Sequence, residues 1–275
     1  MPELAEVEAY RQLAEGALGR RIVEVWAPDD WYLKRGLDAE TVSDALVGRK
    51  FVAARRIGKL LLVDTDRGRA TRGTDPTPVL GLRFGMSGRL VVDGVPGVEG
   101  LVYSSNAADA RFDRFAVRFA KGRSRGEGGE LIMRDPRRLG GVELDPPEGR
   151  LGPDALTVTT AKLRDALRGS AAPLKARLMD QSRLAGVGNL AADEMLWRVG
   201  FDPARRAGSL TDAEVRRLAF ALRRTLADLL ARGGSHTGDL MEVRVPGGRC
   251  PKEGAPLIRR TIGGRTTWSC PVHQR

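Results

Sequence analysis

Cysteine is scarce: Cys250 and Cys270 are the only two in 275 residues, so no disulfide framework holds this fold and a reducing compartment is expected. Long apolar runs are missing as well. No stretch reaches the roughly 18 residues of a membrane-spanning helix, and no basic-then-apolar signal segment opens the chain, so a cytoplasmic protein with no membrane partner is expected. Acidic residues are in deficit, 35 against 46 Lys and Arg, a formal net charge of +11. That balance points to a polyanionic partner. The excess is uneven: residues 1–150 hold 25 basic and 23 acidic side chains, residues 151–275 hold 21 and 12. Aromatic residues make up only 5%, and no aromatic stacking motif of the kind RNA-binding modules use is present. What remains is 41% hydrophobic, too much for a disordered chain and enough, at this length, for one large domain or two.

Residues 2–18 read as an amphipathic helix, with Leu4, Val7, Ala14, Ala17 and Leu18 near helical spacing and Gly19 after the last turn. Short apolar and β-branched runs follow, at 22–26, 60–65, 79–84, 90–92, 115–119 and 131–133, a density of strands that suggests an antiparallel sandwich or barrel. Polar stretches at 66–78 and 121–129 read as exposed loops. Near Leu151-Gly152-Pro153-Asp154 the texture turns helical, at 161–168, 173–183, 190–199 and 212–232. Thr211 with Glu214 forms a capping box for the last of these, and Gly233-Gly234 ends it. The end of the chain carries a hairpin signal, Gly263-Gly264 between 258–262 and 265–269. The implied fold class is α+β, with domains at 1–145, 146–240 and 241–275.

Chemistry is concentrated at the start. Removal of Met1 would expose Pro2 as a secondary amine, whose reference pKa of roughly 7.7 to 8.0 leaves a neutral, nucleophilic fraction at pH 7. Such an amine can form a Schiff base with an aldehyde-like carbon. At a helix start the positive end of the dipole disfavours the ammonium, and Glu3 and Glu6, three residues apart on one face, could serve as acid and base. By themselves these residues also fit an ordinary helix start, with Pro2 at the first helical position and the glutamates facing the dipole.

Further segments change that balance. Met1-Pro2-Glu3-Leu4-Ala5-Glu6-Val7-Glu8, Ile57-Gly58-Lys59, Gly85-Met86-Ser87-Gly88, Asp135-Pro136-Arg137-Arg138-Leu139-Gly140, Leu151-Gly152-Pro153-Asp154, and Asp180-Gln181 followed by Ala185-Gly186-Val187-Gly188-Asn189 occur in this order along the chain. Together they resemble the formamidopyrimidine-DNA glycosylase and endonuclease VIII family of base-excision repair enzymes, with Ala5 where that family usually has Pro. The resemblance runs nearly the whole chain. It implies an N-terminal helix and antiparallel β-sandwich domain, then a helical helix-two-turns-helix domain with a C-terminal β-hairpin finger.

The function implied is that of a bifunctional DNA glycosylase and AP lyase, a hydrolase that excises oxidised bases through a Pro2 Schiff base and cleaves the abasic strand. The family's pattern assigns catalysis to Pro2, Glu3 and Glu6, with Lys59 at a phosphate beside the lesion. Met86, Arg137 and Leu139 match the wedge that fills the hole left by a flipped base. Lys175, Asn189 and Arg265 match phosphate contacts, Asn189 with nearby N–H groups at a helix N-terminus. A non-catalytic protein that binds lesions or abasic sites is the alternative. The partner implied is damaged double-stranded DNA, the protein a monomer in the cytoplasm at the nucleoid, and no organic cofactor is expected.

The finger departs from the family's four cysteines. Its register holds Cys250, Glu253, Cys270 and His273, a possible Zn²⁺ set though an unusual one; a metal-free finger packed around Trp268 stays open. Arg83 stands where His is frequent and Leu139 where Phe is common. Only about fifteen residues separate Gly234 from Cys250, so the long loop that covers flipped 8-oxoguanine in purine-specific members is absent. Preference for ring-opened purines, oxidised pyrimidines or further-oxidised guanine over 8-oxoguanine is therefore expected.

Overall fold

The computed structural model describes residues 2–67, 77–98, 100–102, 104, 108–121 and 128–275. The loops expected at 66–78 and 121–129 fall largely outside the described residues. The chain divides into two compact units, one of Pro2 and residues 6–147, the other of residues 3–5 and 148–275.

The first unit is built from two antiparallel sheets. β1 (Ile22–Trp26), β2 (Phe51–Ile57), β3 (Leu60–Thr65), β4 (Val79–Arg83), β5 (Arg89–Val92), β6 (Val95–Pro96), β7 (Asp113–Phe119), β8 (Glu130–Arg134) and β9 (Gly141–Leu144) follow in sequence. Their spatial orders are β1-β7-β8-β5-β6 and β2-β3-β4-β9. The helix α1 (Leu4–Ala14) and a short α2 (Ala39–Leu46) accompany them. One core joins both sheets: Leu61, Val63, Leu80 and Leu82 on one side, Leu90, Phe115, Val117, Leu131 and Met133 on the other, with Tyr10 and Ala14 of α1. Phe51 and Phe115, fully buried, each contribute about 1.5–3 kcal/mol by leaving water. Strand β3 is buried at nearly every position, so its sequence reads as a continuous apolar run rather than an alternation.

The sequence missed β2, β6, β9 and α2. Only Phe51 of β2 is buried, and Arg55 and Arg56 hide the strand. Pairing with β3 through the turn at Gly58 (φ 59°), register Ile57↔Leu60, is what makes it one.

The second unit is helical and ends in a hairpin. α3 (Thr160–Leu167), α4 (Leu174–Leu178), α5 (Asn189–Val199) and α6 (Asp212–Ala231) precede β10 (Ile258–Ile262) and β11 (Arg265–Ser269). Leu163, Leu167, Leu178, Met195, Leu196, Leu218, Leu222 and Leu226 form its core, together with Leu4 and Ala5. The capping box of α6 is present as expected, Thr211 accepting from the Glu214 N–H and Glu214 from the Thr211 N–H. Two glycines at φ 57° and 71° close β10 on β11, the positive-φ pair of a type I′ turn. Helix α4 stops at Leu178, five residues short of the expected end at 183, because Asp180 and Gln181 divert hydrogen bonding into the following turns: the Asp180 carboxylate accepts from the Ser182 N–H (3.0 Å) and Gln181 from the Gly186 N–H (2.9 Å).

Candidate functional site

The acidic N-terminus is anchored by backbone dipoles. Glu3 is 1% exposed, and its carboxylate oxygens accept from the backbone N–H of Leu190 at 2.9 Å and of Ala191 at 3.1 Å, at the start of α5. Gly188 makes the space: a Cβ there would lie 2.0 Å from the Glu3 carboxyl carbon. Its φ of −113° is ordinary, so close approach, not backbone conformation, requires the glycine.

Pro2 and Glu3 precede α1, which begins at Leu4. The expected start of the helix at Pro2 is therefore corrected to Leu4, and Glu3 is held by the N-terminal N–H groups of α5. Pro2 is buried. Glu6, buried in the first turn of α1, adds its charge to the larger effect of burial in pushing the Tyr10 hydroxyl well up. Tyr10 in turn donates to the Gly88 carbonyl at 3.3 Å. Lys59 sits half-buried in the β2–β3 turn.

The segments carrying Met86, Arg137 and Leu139 are tied to each other within the first unit. Asp135, fully buried, accepts from the Ser87 hydroxyl, from the Arg137 N–H at 3.1 Å and from the Gly140 N–H at 2.8 Å. A Cβ on Gly85 (φ +54°) would fall 2.3 Å from the Leu139 carbonyl carbon. The two turns are thus pressed backbone to backbone, and their tips remain available: Leu139 is 50% exposed, Arg137 is exposed and Met86 is half-buried. Arg83 is committed elsewhere, to an ion pair with Glu143.

Between α4 and α5, Gln181 organises the turn, donating to the carbonyls of Met179 (2.7 Å) and Val187 (3.0 Å) while it accepts from Gly186. Asn189 is the first residue of α5 and Gly188 its N-cap. The Asn189 Oδ1 is buried and accepts no hydrogen bond among the described residues. Of the N–H groups expected to grip phosphate beside it, those of Leu190 and Ala191 are already used by Glu3.

Lys175 departs further from expectation. It is fully buried; its ammonium lies 2.7 Å from the Asp193 carboxylate and donates to Thr267 Oγ1 at 2.7 Å and to the Thr266 carbonyl at 3.2 Å. Arg244 reaches the same carboxylate at 2.9 Å. Burial pushes Lys175 down and Asp193 up, and their attraction opposes both shifts. In this structure Lys175 fastens α4 to α5 and β11 instead of presenting a charge to solvent. Arg265, beside the hairpin glycines, is exposed and makes no ion pair among the described residues.

In the finger, the ligand atoms of Cys250, Cys270 and His273 lie within 4.8 Å of one another, a group that can hold a metal ion. His273 Nε2 is 3.0 Å from the Trp197 carbonyl. A proton on Nε2 would leave Nδ1 as the lone pair facing the Cys250 sulfur, 3.8 Å away, the arrangement usual for a ligating imidazole. Burial pushes the Cys250 thiol up, but the Trp197 indole N–H (3.3 Å) and the backbone N–H groups of Glu253 and Lys252 outweigh it and bring it below its ordinary value. Burial holds Cys270 above. Glu253 stands outside the group of three, its carboxylate 3.8 Å from His273 Nδ1. The apolar packing around the cysteines is Trp197 and Leu240, not Trp268, which is buried elsewhere on β11. Asp193, Glu194, Trp197 and Arg244 do not stand out in the sequence, because their partners are distant in the chain; Ser87 stands there only as part of the Gly85-Met86-Ser87-Gly88 motif.

Residues 1–142 match the formamidopyrimidine-DNA glycosylase N-terminal domain and residues 151–240 the formamidopyrimidine-DNA glycosylase H2TH domain. The formamidopyrimidine-DNA glycosylase of Paracoccus denitrificans is 33% identical over 302 aligned residues, covering all of both chains; that of Chloroflexus aggregans is 34% identical, covering all of this chain and 98% of its own. A solved complex of Lactococcus lactis FPG (MutM) with FAPY-dG-containing DNA superposes with a TM-score of 0.78 at 25% identity, over 99% of this chain and 100% of that one. Profile matches across both units, relatives aligned end to end and a shared fold agree, and the chain belongs to the formamidopyrimidine-DNA glycosylase family.

Proposed function

We propose that this protein is a base-excision repair DNA glycosylase with abasic-site lyase activity, acting on damaged double-stranded DNA through Pro2. The neutral Pro2 nitrogen attacks C1′ of the damaged nucleotide, the base departs with the electrons of the glycosidic bond, and opening of the sugar gives a Schiff base. Glu3 exchanges a proton at the sugar oxygen, Glu6 supports the site, and Lys59 meets a phosphate beside the lesion. Met86, Arg137 and Leu139 enter the vacated stack; Asn189 and Arg265 take phosphates. The observation that carries this reading is the carboxylate of Glu3, buried directly after the amine and oriented by two backbone N–H groups. A protein that only bound lesions would have no use for it.

The test is borohydride trapping on abasic-site DNA. A covalent protein–DNA adduct is expected, strongly reduced by Pro2→Gly or by an uncleaved Met1. Equal trapping after either change would remove Pro2 from the mechanism, and no adduct at all would favour the lesion-binding alternative.

We infer further that the finger holds Zn²⁺ through Cys250, Cys270 and His273, with Glu253 the nearest candidate for a fourth ligand. The ion would supply a structural cross-link between the ends of the finger. A preference for ring-opened purines, oxidised pyrimidines or further-oxidised guanine over 8-oxoguanine is supported by the short segment after α6, where Glu194 accepts from the Asp239 N–H (3.2 Å) and the Leu240 N–H (2.9 Å). Comparable single-turnover excision of paired 8-oxoguanine and of ring-opened purines would reject that preference.

A further inference from the structure

Away from the residues assigned to DNA, the C-terminal end of α5 and one face of α6 enclose a cavity of about 370 Å³, within the range of roughly 300–1,000 Å³ typical of ligand pockets. Arg217, Phe220, Ala221 and Arg224 line it from α6, at the spacing that places side chains on one helical stripe. Val199 closes it from α5. Phe220 is 60% exposed, an aromatic surface turned to water.

The charges around it are unequal. Arg198, also at the rim, is neutralised by Glu194 (2.6 Å), Asp228 (2.7 Å) and Asp239 (3.0 Å). Arg217 donates only to the Val199 carbonyl at 3.2 Å and lies 5.2 Å from the Phe201 ring centre; neither it nor Arg224 meets a carboxylate among the described residues. An apolar floor is thus flanked by two uncompensated guanidiniums, and the 11-residue length of α5 sets the site roughly 15 Å from Asn189. A duplex backbone would offer phosphates but nothing apolar to fill the recess. A peptide offers both, and guanidinium pairs with carboxylate bidentately.

We propose that this recess binds a short acidic segment of a partner protein, which inserts one bulky apolar side chain against Phe220, Ala221 and Val199 and sets flanking carboxylates on Arg217 and Arg224. The inference stands independently of the glycosylase reading. Fluorescence anisotropy of the full chain with a dye-labelled Asp-Asp-Glu-Leu-Phe peptide tests it, against Asp-Asp-Glu-Gly-Gly as control. Saturable binding is expected for the first, with the control weaker by roughly tenfold or more, and a loss of about the same size in the double variant Arg217→Glu/Arg224→Glu and in Phe220→Ser. Borohydride trapping should be unchanged in both variants. Absence of binding, equal affinity for the two peptides, or unaltered affinity in the variants would overturn the proposal. A loss of duplex-DNA affinity in the arginine variant as large as its loss of peptide affinity would assign these residues to DNA instead.

Discussion

The Lys175 ammonium stands 2.7 Å from the Asp193 carboxylate with neither side chain exposed to solvent. A buried pair of this kind is costly to break from one side, because the remaining charge has no water to return to. Lys175→Met is expected to destabilise the protein by about 3 kcal/mol in urea unfolding. Asp193→Asn should do at least as much, since Arg244 also loses its partner. Unchanged stability with a uniform drop in DNA affinity would place the ammonium at a phosphate, as the sequence alone suggested.

Asp135 holds together the two turns that carry Met86 and Leu139, the residues proposed as the wedge, so its removal leaves the Ser87 hydroxyl and the N–H groups of Arg137 and Gly140 without their acceptor. Each unpaired buried donor costs about 1–3 kcal/mol. Asp135→Ala should lower single-turnover excision by roughly tenfold or more, as expected for a wedge displaced by about an ångström, and weaken the fluorescence rise of 2-aminopurine beside the lesion. Wild-type excision from a variant that is merely less stable would show that the wedge is positioned by other contacts.

Glu214 carries the clearest pH dependence. Its bonds to Arg205 first, then to the Thr211 N–H, bring its pKa from 4.5 to about 2. A carboxylate depressed in the folded state stabilises the fold above the unfolded-state value, and that contribution is lost as pH falls from about 4.5 towards 2. Water screens the pair, so about 1–2 kcal/mol is expected. Comparing the wild type with Glu214→Gln, the stability difference should be full at pH 6 and gone near pH 2; a constant difference would mean that the capping hydrogen bonds do not require the charge.

Metal content is checked directly. Purified protein should hold close to one zinc per chain by elemental analysis, lost in Cys250→Ser and His273→Ala, and chelation should lower both the melting temperature and DNA affinity. Zinc retained in His273→Ala would exclude the imidazole as a ligand.

Much was legible without coordinates. The strands at 22–26 and 60–65, the capping box at Thr211 and the hairpin at 258–269 are written in local terms, as apolar runs, caps and paired glycines, and each formed with little or no change in bounds. Strand β2 was not legible, because Arg55 and Arg56 obscure a pattern that only pairing with β3 completes. The candidate site divides the same way. Residue types at Pro2, Glu3, Met86, Arg137 and Arg265 stood out from motif and order.

By itself, then, the sequence carried the family, most of the larger elements and the residue types proposed for chemistry, since these depend on residue type and near-neighbour spacing. Tertiary structure decided where those groups sit and what they bond. It gave Glu3 its orientation through the α5 N–H groups and the space at Gly188, and it joined two turns through Ser87 and Asp135. It also withdrew Lys175 from the surface. Each of these depends on burial, where a charge must find a partner distant in the chain, and no local pattern records which partner that is.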